Sequence, residues 1–176
     1  MDLSQNLIAV VDDDSDILLS ARLFLKKYFQ EIHCFSHPSD LLEQLKEVNF
    51  AAVLLDLNYQ NGRNDGQEGL AALESIKSAQ PKTEVIMMTA YAEVNLAVEA
   101  VKKGAFDFIV KPWQNEKLLV TLMNAVQKRN MNQQLSQQAA VIHASTKELY
   151  PLLGDSAGMQ QIRELIHQVS PTNASV

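Results

Sequence analysis

The sequence predicts an α/β protein built on an open, parallel five-stranded sheet, and three observations carry that reading. The stretch from Ala51 to Leu55 is an unbroken apolar run, the pattern of a strand buried on both faces, and it runs straight into Asp56. Three other stretches also end in polar groups: Leu7–Val11 before Asp12, Asp13 and Asp14, Val85–Met88 before Thr89, and Phe106–Val110 before Lys111. Between them, strand and helix signals alternate, so that the chain reads β-α five times over. In an open parallel sheet the crevice beyond the carboxyl ends of the strands is where ligands bind, so four polar strand ends mark one pocket.

Taken in order, the first strand is followed by a helix that Asp14 or Ser15 can cap, with Ile17, Leu18, Ala21, Phe24, Leu25 and Tyr28 at helical spacing. Ile32–Phe35 is a short, edge-like strand. Ser36 opens the next helix, with Pro38 in its first turn. After Asp56 comes a long polar loop, Tyr59–Gly66. The helix beyond it carries one apolar stripe, Leu70, Leu73 and Ile76, and Pro81 ends the unit. A further stripe, Val94, Ala97, Val98 and Val101, precedes Gly104, the expected left-handed cap. From about Glu116 a helix begins whose Leu119, Leu122, Met123 and Val126 are expected to pack on the sheet.

Beyond Arg129 that helix turns Gln-rich, with Met131, Leu135 and Ile142 as sparse apolar points and Gln138 at a core position of the heptad they would form. It reads as a linker helix that pairs with its twin. After Pro151 an amphipathic helix led by Asp155 or Ser156 follows, and Ser170–Val176 has the character of a chain stopped as a strand begins. The domains expected are residues 1–128, a helical linker at 129–151, and the start of another domain at 152–176.

With 176 residues, 47% hydrophobic and 20% charged, the chain has the composition of a soluble globular protein and no apolar run long enough to span a bilayer. The amino terminus lacks the features of a secretory signal, and the single Cys34 cannot form an intramolecular disulfide; both fit a cytoplasmic address. A net charge of −6, from 15 Lys and Arg against 21 Asp and Glu, leaves no electrostatic footprint for nucleic acid.

The chemistry of the pocket follows from its residue types. Asp12 and Asp13 brought near Asp56 repel one another unless a cation shares the pocket, and an all-oxygen set with no His or Cys favours Mg²⁺ over zinc. Lys111 supplies a compact cation and Thr89 a hydroxyl, the groups wanted around a phosphoryl oxygen. Together they describe an aspartyl-phosphate site. Singly, each has a plainer reading: Asp14, Ser15 and Asp16 as capping and first-turn residues, Thr89 as a cap, Lys111 as a solvated charge before Pro112. Four such groups on four separate strands favour the site. His33, His37, His143 and His167 are scattered and read as surface residues; Phe108 and Trp113 read as core, with a switch role open for Phe108.

Val10–Asp13, Leu54–Asn58, Met88–Ala90 and Val110–Pro112 stand in the order and nearly the spacing of the receiver domain of two-component response regulators, which residues 5 to 128 resemble. The resemblance implies a flavodoxin-like doubly wound sheet with a C-terminal helical linker. It implies Asp56 as phosphoacceptor, Asp13 as main Mg²⁺ ligand, Asp12 acting through water, and the Asn58 backbone carbonyl completing the protein ligands. Thr89 and Phe108 match the pair that moves on activation, and the Lys111–Pro112 peptide is expected to be cis. A sensor histidine kinase is the implied partner, with chemistry of the chain's own limited to phosphoryl transfer onto Asp56 and its slow hydrolysis.

The tail, Leu153–Arg163 and Ser170–Val176, resembles the opening of the ATPase domain in NtrC-type, sigma-54-dependent activators. The Gly-rich phosphate-binding loop that should follow is absent, so a chain truncated before the ATPase core is expected. For the full-length protein the resemblance implies ATP, DNA and sigma-54 RNA polymerase as partners, and a homodimer. A competing reading is a haloacid-dehalogenase-type phosphatase, which also uses an Asp nucleophile with Mg²⁺ but places a second Asp two residues later, where this chain has Asn58. A third, an unphosphorylated interaction module, finds no support in a chain that retains acceptor, acidic pair, Thr and Lys.

Overall fold

The structure, a computed structural model, describes residues 6–58, 66–90, 94–149 and 160. Ten elements alternate: β1 (Leu7–Val11), α1 (Ser15–Leu25), β2 (Glu31–Phe35), α2 (Pro38–Gln44), β3 (Ala52–Asp56), α3 (Gln67–Ala79), β4 (Glu84–Ala90), α4 (Val94–Lys102), β5 (Asp107–Lys111) and α5 (Asn115–Leu149). The strands form one parallel sheet in the order β2-β1-β3-β4-β5. This is the flavodoxin-like doubly wound arrangement, in which the direction of winding reverses between β1 and β3.

Alternation along each strand divides the core in two. Ala9, Val11, Val53, Leu55, Val85 and Met87 pack with Leu41 of α2, Leu70, Leu73 and Ile76 of α3, and Ala100 of α4. Ile8, Val10, Leu54, Ile86, Met88 and Ile109 face the other way, onto Ala21 and Leu25 of α1 and Leu118, Leu122, Ala125 and Val126 of α5. Burial on both faces is why these strands are continuously apolar in sequence.

Local chemistry sets most of the boundaries. Asp14 caps α1, its Oδ1 accepting from the N–H groups of Asp16 and Ile17 at 2.8 and 3.4 Å. Gly104, at φ 102, ends α4 in the left-handed region, where Ala105 N–H donates to the Ala100 carbonyl at 3.0 Å. The Lys111–Pro112 peptide is cis, as expected.

Several helix caps and faces differ from those the sequence pattern predicts. The cap of α2 is His37, not Ser36: Pro38 occupies the first helical position, so the residue directly before it accepts the Ser39 N–H through Nδ1. Tyr28 lies beyond the end of α1, exposed, with its ring 5.4 Å from that of Phe24. Among the described side chains of α4, Ala100 is buried and Leu96 packs on the core, while Val98 and Val101 are 44% and 40% exposed; those of Val94 and Ala97 lie outside the described ones. On α5 the sheet takes Leu118 and Ala125 in addition to Leu122 and Val126; Leu119 is partly buried and Met123 is exposed.

The chain divides into two compact units, Met1–Gln134 and Leu135–Val176. Within α5, Met131 and Leu135 are both exposed. The expected path of the loop over 59–65, the helix over 152–168 and the strand start at 170–176 lie outside the described residues, as does the side chain of Ile142. No helix among the described residues is long and apolar enough to cross a membrane.

Candidate functional site

β1 and β3 are neighbours at the point where the winding reverses, and each delivers a carboxylate to the crevice there. Asp12 directly follows β1 and is fully buried; Asp56 is the last residue of β3 and 6% exposed. Asp13 is exposed at the rim. Oxygen atoms of all three lie within 4.8 Å of one another. Lys111, the last residue of β5, reaches across the β4 end, placing Nζ 2.6 Å from Asp12 Oδ2 and 2.7 Å from Asp56 Oδ1.

Electrostatics at this site are governed by burial first. Desolvation pushes the Asp56 carboxyl up to about 6, although the ammonium of Lys111 pulls the other way. Asp12 is likewise raised, burial outweighing Lys111 and the hydrogen bond from Asp14 N–H to its Oδ1 at 3.1 Å. For Lys111 burial lowers the pKa, but Asp56 and Asp12 outweigh it and the ammonium is held above its usual value. Lys111 is therefore a fixed charge that partly neutralises two carboxylates.

These residues fit a hard divalent cation. Three carboxylates against one ammonium leave two negative charges in the crevice when all are ionised. Lys111 reaches Asp12 and Asp56 but not the exposed Asp13, so the carboxylate charge of the crevice is only partly matched by the protein's own cation. The donor set is all oxygen, as Mg²⁺ requires.

The Asn58 side chain braces the segment just beyond Asp56. Its Oδ1 accepts from Gly66 N–H at 3.1 Å, clamping the two ends of the long loop. Gly66 sits at φ 65 as the N-terminal boundary of α3, a conformation that favours glycine. Three residues on, a Cβ at Gly69 would stand 2.5 Å from the Leu57 carbonyl oxygen, so only glycine lets α3 close on the chain between Asp56 and Asn58. The sequence marked neither contact; the glycines flanking a polar loop were the available signal.

Thr89 is fully buried near the end of β4, one residue beyond Met88, which pairs with Asp56. Phe108, on β5, pairs with Met87 of β4 and packs, partly buried, against the core on the α2, α3 and α4 side. Trp113 is partly buried against the opposite core. The structure thus gathers Asp12, Asp13, Asp56 and Lys111 in direct proximity and sets Thr89 on the intervening strand end.

Comparison with known families agrees with this architecture. A family model for the response regulator receiver domain matches residues 8–123. The chain belongs to that family. Among curated relatives of this receiver domain chain, the regulatory protein AtoC of Escherichia coli (strain K12) is 30% identical over 173 residues, which is 97% of this chain and 36% of AtoC. The transcriptional regulatory protein ZraR of the same strain is 32% identical over 169 residues, again 36% of that protein. The chain therefore spans about a third of the length of these relatives. Among solved structures, the receiver domain of a response regulator from Bacteroides fragilis is 42% identical with a TM-score of 0.64, covering 70% of this chain and 98% of that one. NtrX from Brucella abortus, solved with ADP, is 28% identical with a TM-score of 0.69 over 97% of this chain and 35% of NtrX.

Proposed function

We propose that this receiver domain is a phosphorylation switch that accepts a phosphoryl group from a histidine kinase onto Asp56. The observation that carries the reading is the ion pair of Lys111 with both Asp12 and Asp56 at a buried strand end. An Asp56 carboxylate oxygen attacks phosphorus as the P–N bond of a phosphohistidine breaks, and the departing imidazole nitrogen takes up a proton. Lys111, already 2.7 Å from the attacking carboxylate, counters the charge that builds on the transferring group. Mg²⁺ would be held by Asp13 and Asp56, by Asp12 through water and by the Asn58 carbonyl, and when bound supplies further charge neutralisation. Thr89 and Phe108 form the switch pair that carries the change to the outer face of the sheet.

Asn58 speaks against the phosphatase alternative. A general acid is required two residues after the nucleophile, and this position holds an amide already engaged with Gly66 N–H. The domain reading is residues 1–128 as receiver, 129–151 as linker and 152–176 as the opening of an ATPase domain. The alignment with AtoC over 173 residues, well past the matched receiver region, supports a shared segment after the receiver. On this basis the whole protein is a cytoplasmic, sigma-54-dependent transcription activator that uses ATP and DNA. Exposed Met131 and Leu135 on α5 support pairing of two chains through the linker.

Incubation with acetyl phosphate and Mg²⁺ tests the central assignment. Wild type is expected to gain one hydroxylamine-sensitive phosphoryl group, and Asp56→Asn none. Equal labelling of the variant would place the acceptor elsewhere.

A further inference from the structure

At the end of the sheet opposite Asp56, a cleft of about 440 Å³ opens between the segment before β3, the turn joining α3 to β4, and α5 beyond its sheet-packed residues. Its polar lining is Asn49, Gln80, Lys82, Thr83, Arg129 and Gln133, with no carboxylate among the lining residues. The Arg129 side chain is half-buried, and its Nε is sealed from solvent with no hydrogen-bond partner among the described residues. Burial alone acts on its pKa, pulling it below the usual guanidinium value with no carboxylate to offset it. A buried N–H donor without an acceptor is costly, and a guanidinium in that position is a receptor for a planar or tetrahedral oxyanion.

The surroundings strengthen this. Glu84, at the foot of β4, is already matched by Lys128 at 3.1 Å and Lys77 at 3.7 Å, so it has little charge to offer Arg129. Lys82 and Arg129 are the charged residues of the lining, both positive, on a chain whose net charge is −6. The walls are held in place: Gln80 Nε2 donates to the Leu45 and Val48 carbonyls at 2.8 and 2.7 Å, and Thr83 Oγ1 to the Phe50 carbonyl at 2.9 Å. The volume is that of a small-molecule site.

We propose that this cleft binds a small multivalent oxyanion bearing carboxylate or phosphate groups, gripped by Arg129 and Lys82 with the Asn49 and Gln133 amides alongside. Because Arg129 and Gln133 belong to α5 and Lys82 to the α3–β4 turn, the anion ties the middle of α5 to the amino-terminal end of the sheet. Its binding stabilises whichever seating of α5 keeps Arg129 in the cleft.

The experiment is a titration of the intact ¹⁵N-labelled chain in the Asp56→Asn background, in buffer stripped of divalent metal with a chelating resin, which removes phosphate binding at the acidic crevice without adding a competing carboxylate. Inorganic phosphate, citrate and chloride are compared at constant ionic strength. The Arg129 Nε–H and the Lys82 and Thr83 amide signals are expected to move saturably with phosphate or citrate and not with chloride. Saturation by phosphate alone assigns a phosphate ligand, and by citrate alone a carboxylate ligand. Arg129→Gln is expected to weaken the affinity at least tenfold and Lys82→Gln several-fold, each with an unchanged circular dichroism spectrum. If Arg129→Gln does not fold, Arg129→Lys, which keeps the charge but loses the Nε donor, is expected to bind more weakly than wild type. Responses that never saturate, that match chloride, or that survive both the Arg129 and Lys82 substitutions would overturn the proposal.

Discussion

Lys111 Nζ stands 2.7 Å from Asp56 Oδ1 and 2.6 Å from Asp12 Oδ2, so one ammonium from β5 bridges the carboxylates of two strands on the far side of β4. The bridge offsets only part of the cost of burying them, because Asp56 still titrates near 6 and Asp12 is also raised. That residual strain can be measured.

Between the ordinary carboxylate pKa of 3.8 and about 6, folded Asp56 binds more protons than the unfolded chain does. Stability therefore falls as pH rises through that window, and the destabilisation is fully present above it. Without metal, Asp56→Asn is expected to be more stable than wild type at pH 7 by about 3 kcal/mol, with the advantage vanishing below pH 4. Urea denaturation of both proteins in EDTA at the two pH values checks this; a wild type that is the more stable at pH 7 refutes it.

The acidic pair separates from its neighbour by role. Asp13 shares the crevice with Asp12 and Asp56, whereas the Asp14 side chain is spent on capping α1. Asp13→Ala should weaken Mg²⁺ binding markedly and Asp14→Ala should not, although the latter loses about 1 kcal/mol of helix capping. Calorimetric titration of Mg²⁺ into each variant decides, and matching affinities would remove Asp13 from the ligand set.

Gly69 gives a purely steric prediction. A methyl group there meets the Leu57 carbonyl oxygen at 2.5 Å and the Leu57 Cα at 2.7 Å, both backbone atoms next to the site. Gly69→Ala should cost roughly 1–3 kcal/mol and slow phosphorylation by acetyl phosphate, since α3 can no longer close on the segment joining Asp56 to Asn58. A variant with wild-type stability and labelling rate would show that the strand end yields without consequence.

The last prediction follows the signal out of the crevice. A phosphoryl group on Asp56 adds charge and acceptor oxygens beside the end of β4, where the Thr89 hydroxyl is the proposed donor, and Phe108 on β5 is the proposed follower. Beryllofluoride with Mg²⁺, standing in for the phosphoryl group, should shift the sedimentation of wild type toward a differently paired dimer and leave Thr89→Ala unchanged. Identical responses in the two proteins would exclude Thr89 from the switch.

Local sequence determined where the strands lie and which polar groups stand at their ends, because an apolar run followed by a carboxylate, a hydroxyl or a lysine needs no distant information to be read. The alternation of elements likewise determined a parallel sheet, and Asp14 and Gly104 marked helix ends through chemistry confined to one turn. Tertiary structure decided what pattern leaves degenerate. Six of the eight positions of α4 from Val94 to Val101 are apolar, so periodicity could not choose its buried face; contact with the sheet chose Ala100 and left Val98 and Val101 in solvent. The same holds for α5, where Leu118 and Ala125 are buried and Met123 is not. Only the assembled sheet placed one lysine between two carboxylates, engaged the Asn58 amide with Gly66, and left the Arg129 Nε without an acceptor among the described residues. Each of these depends on distances between elements far apart in the chain, which no local spacing encodes.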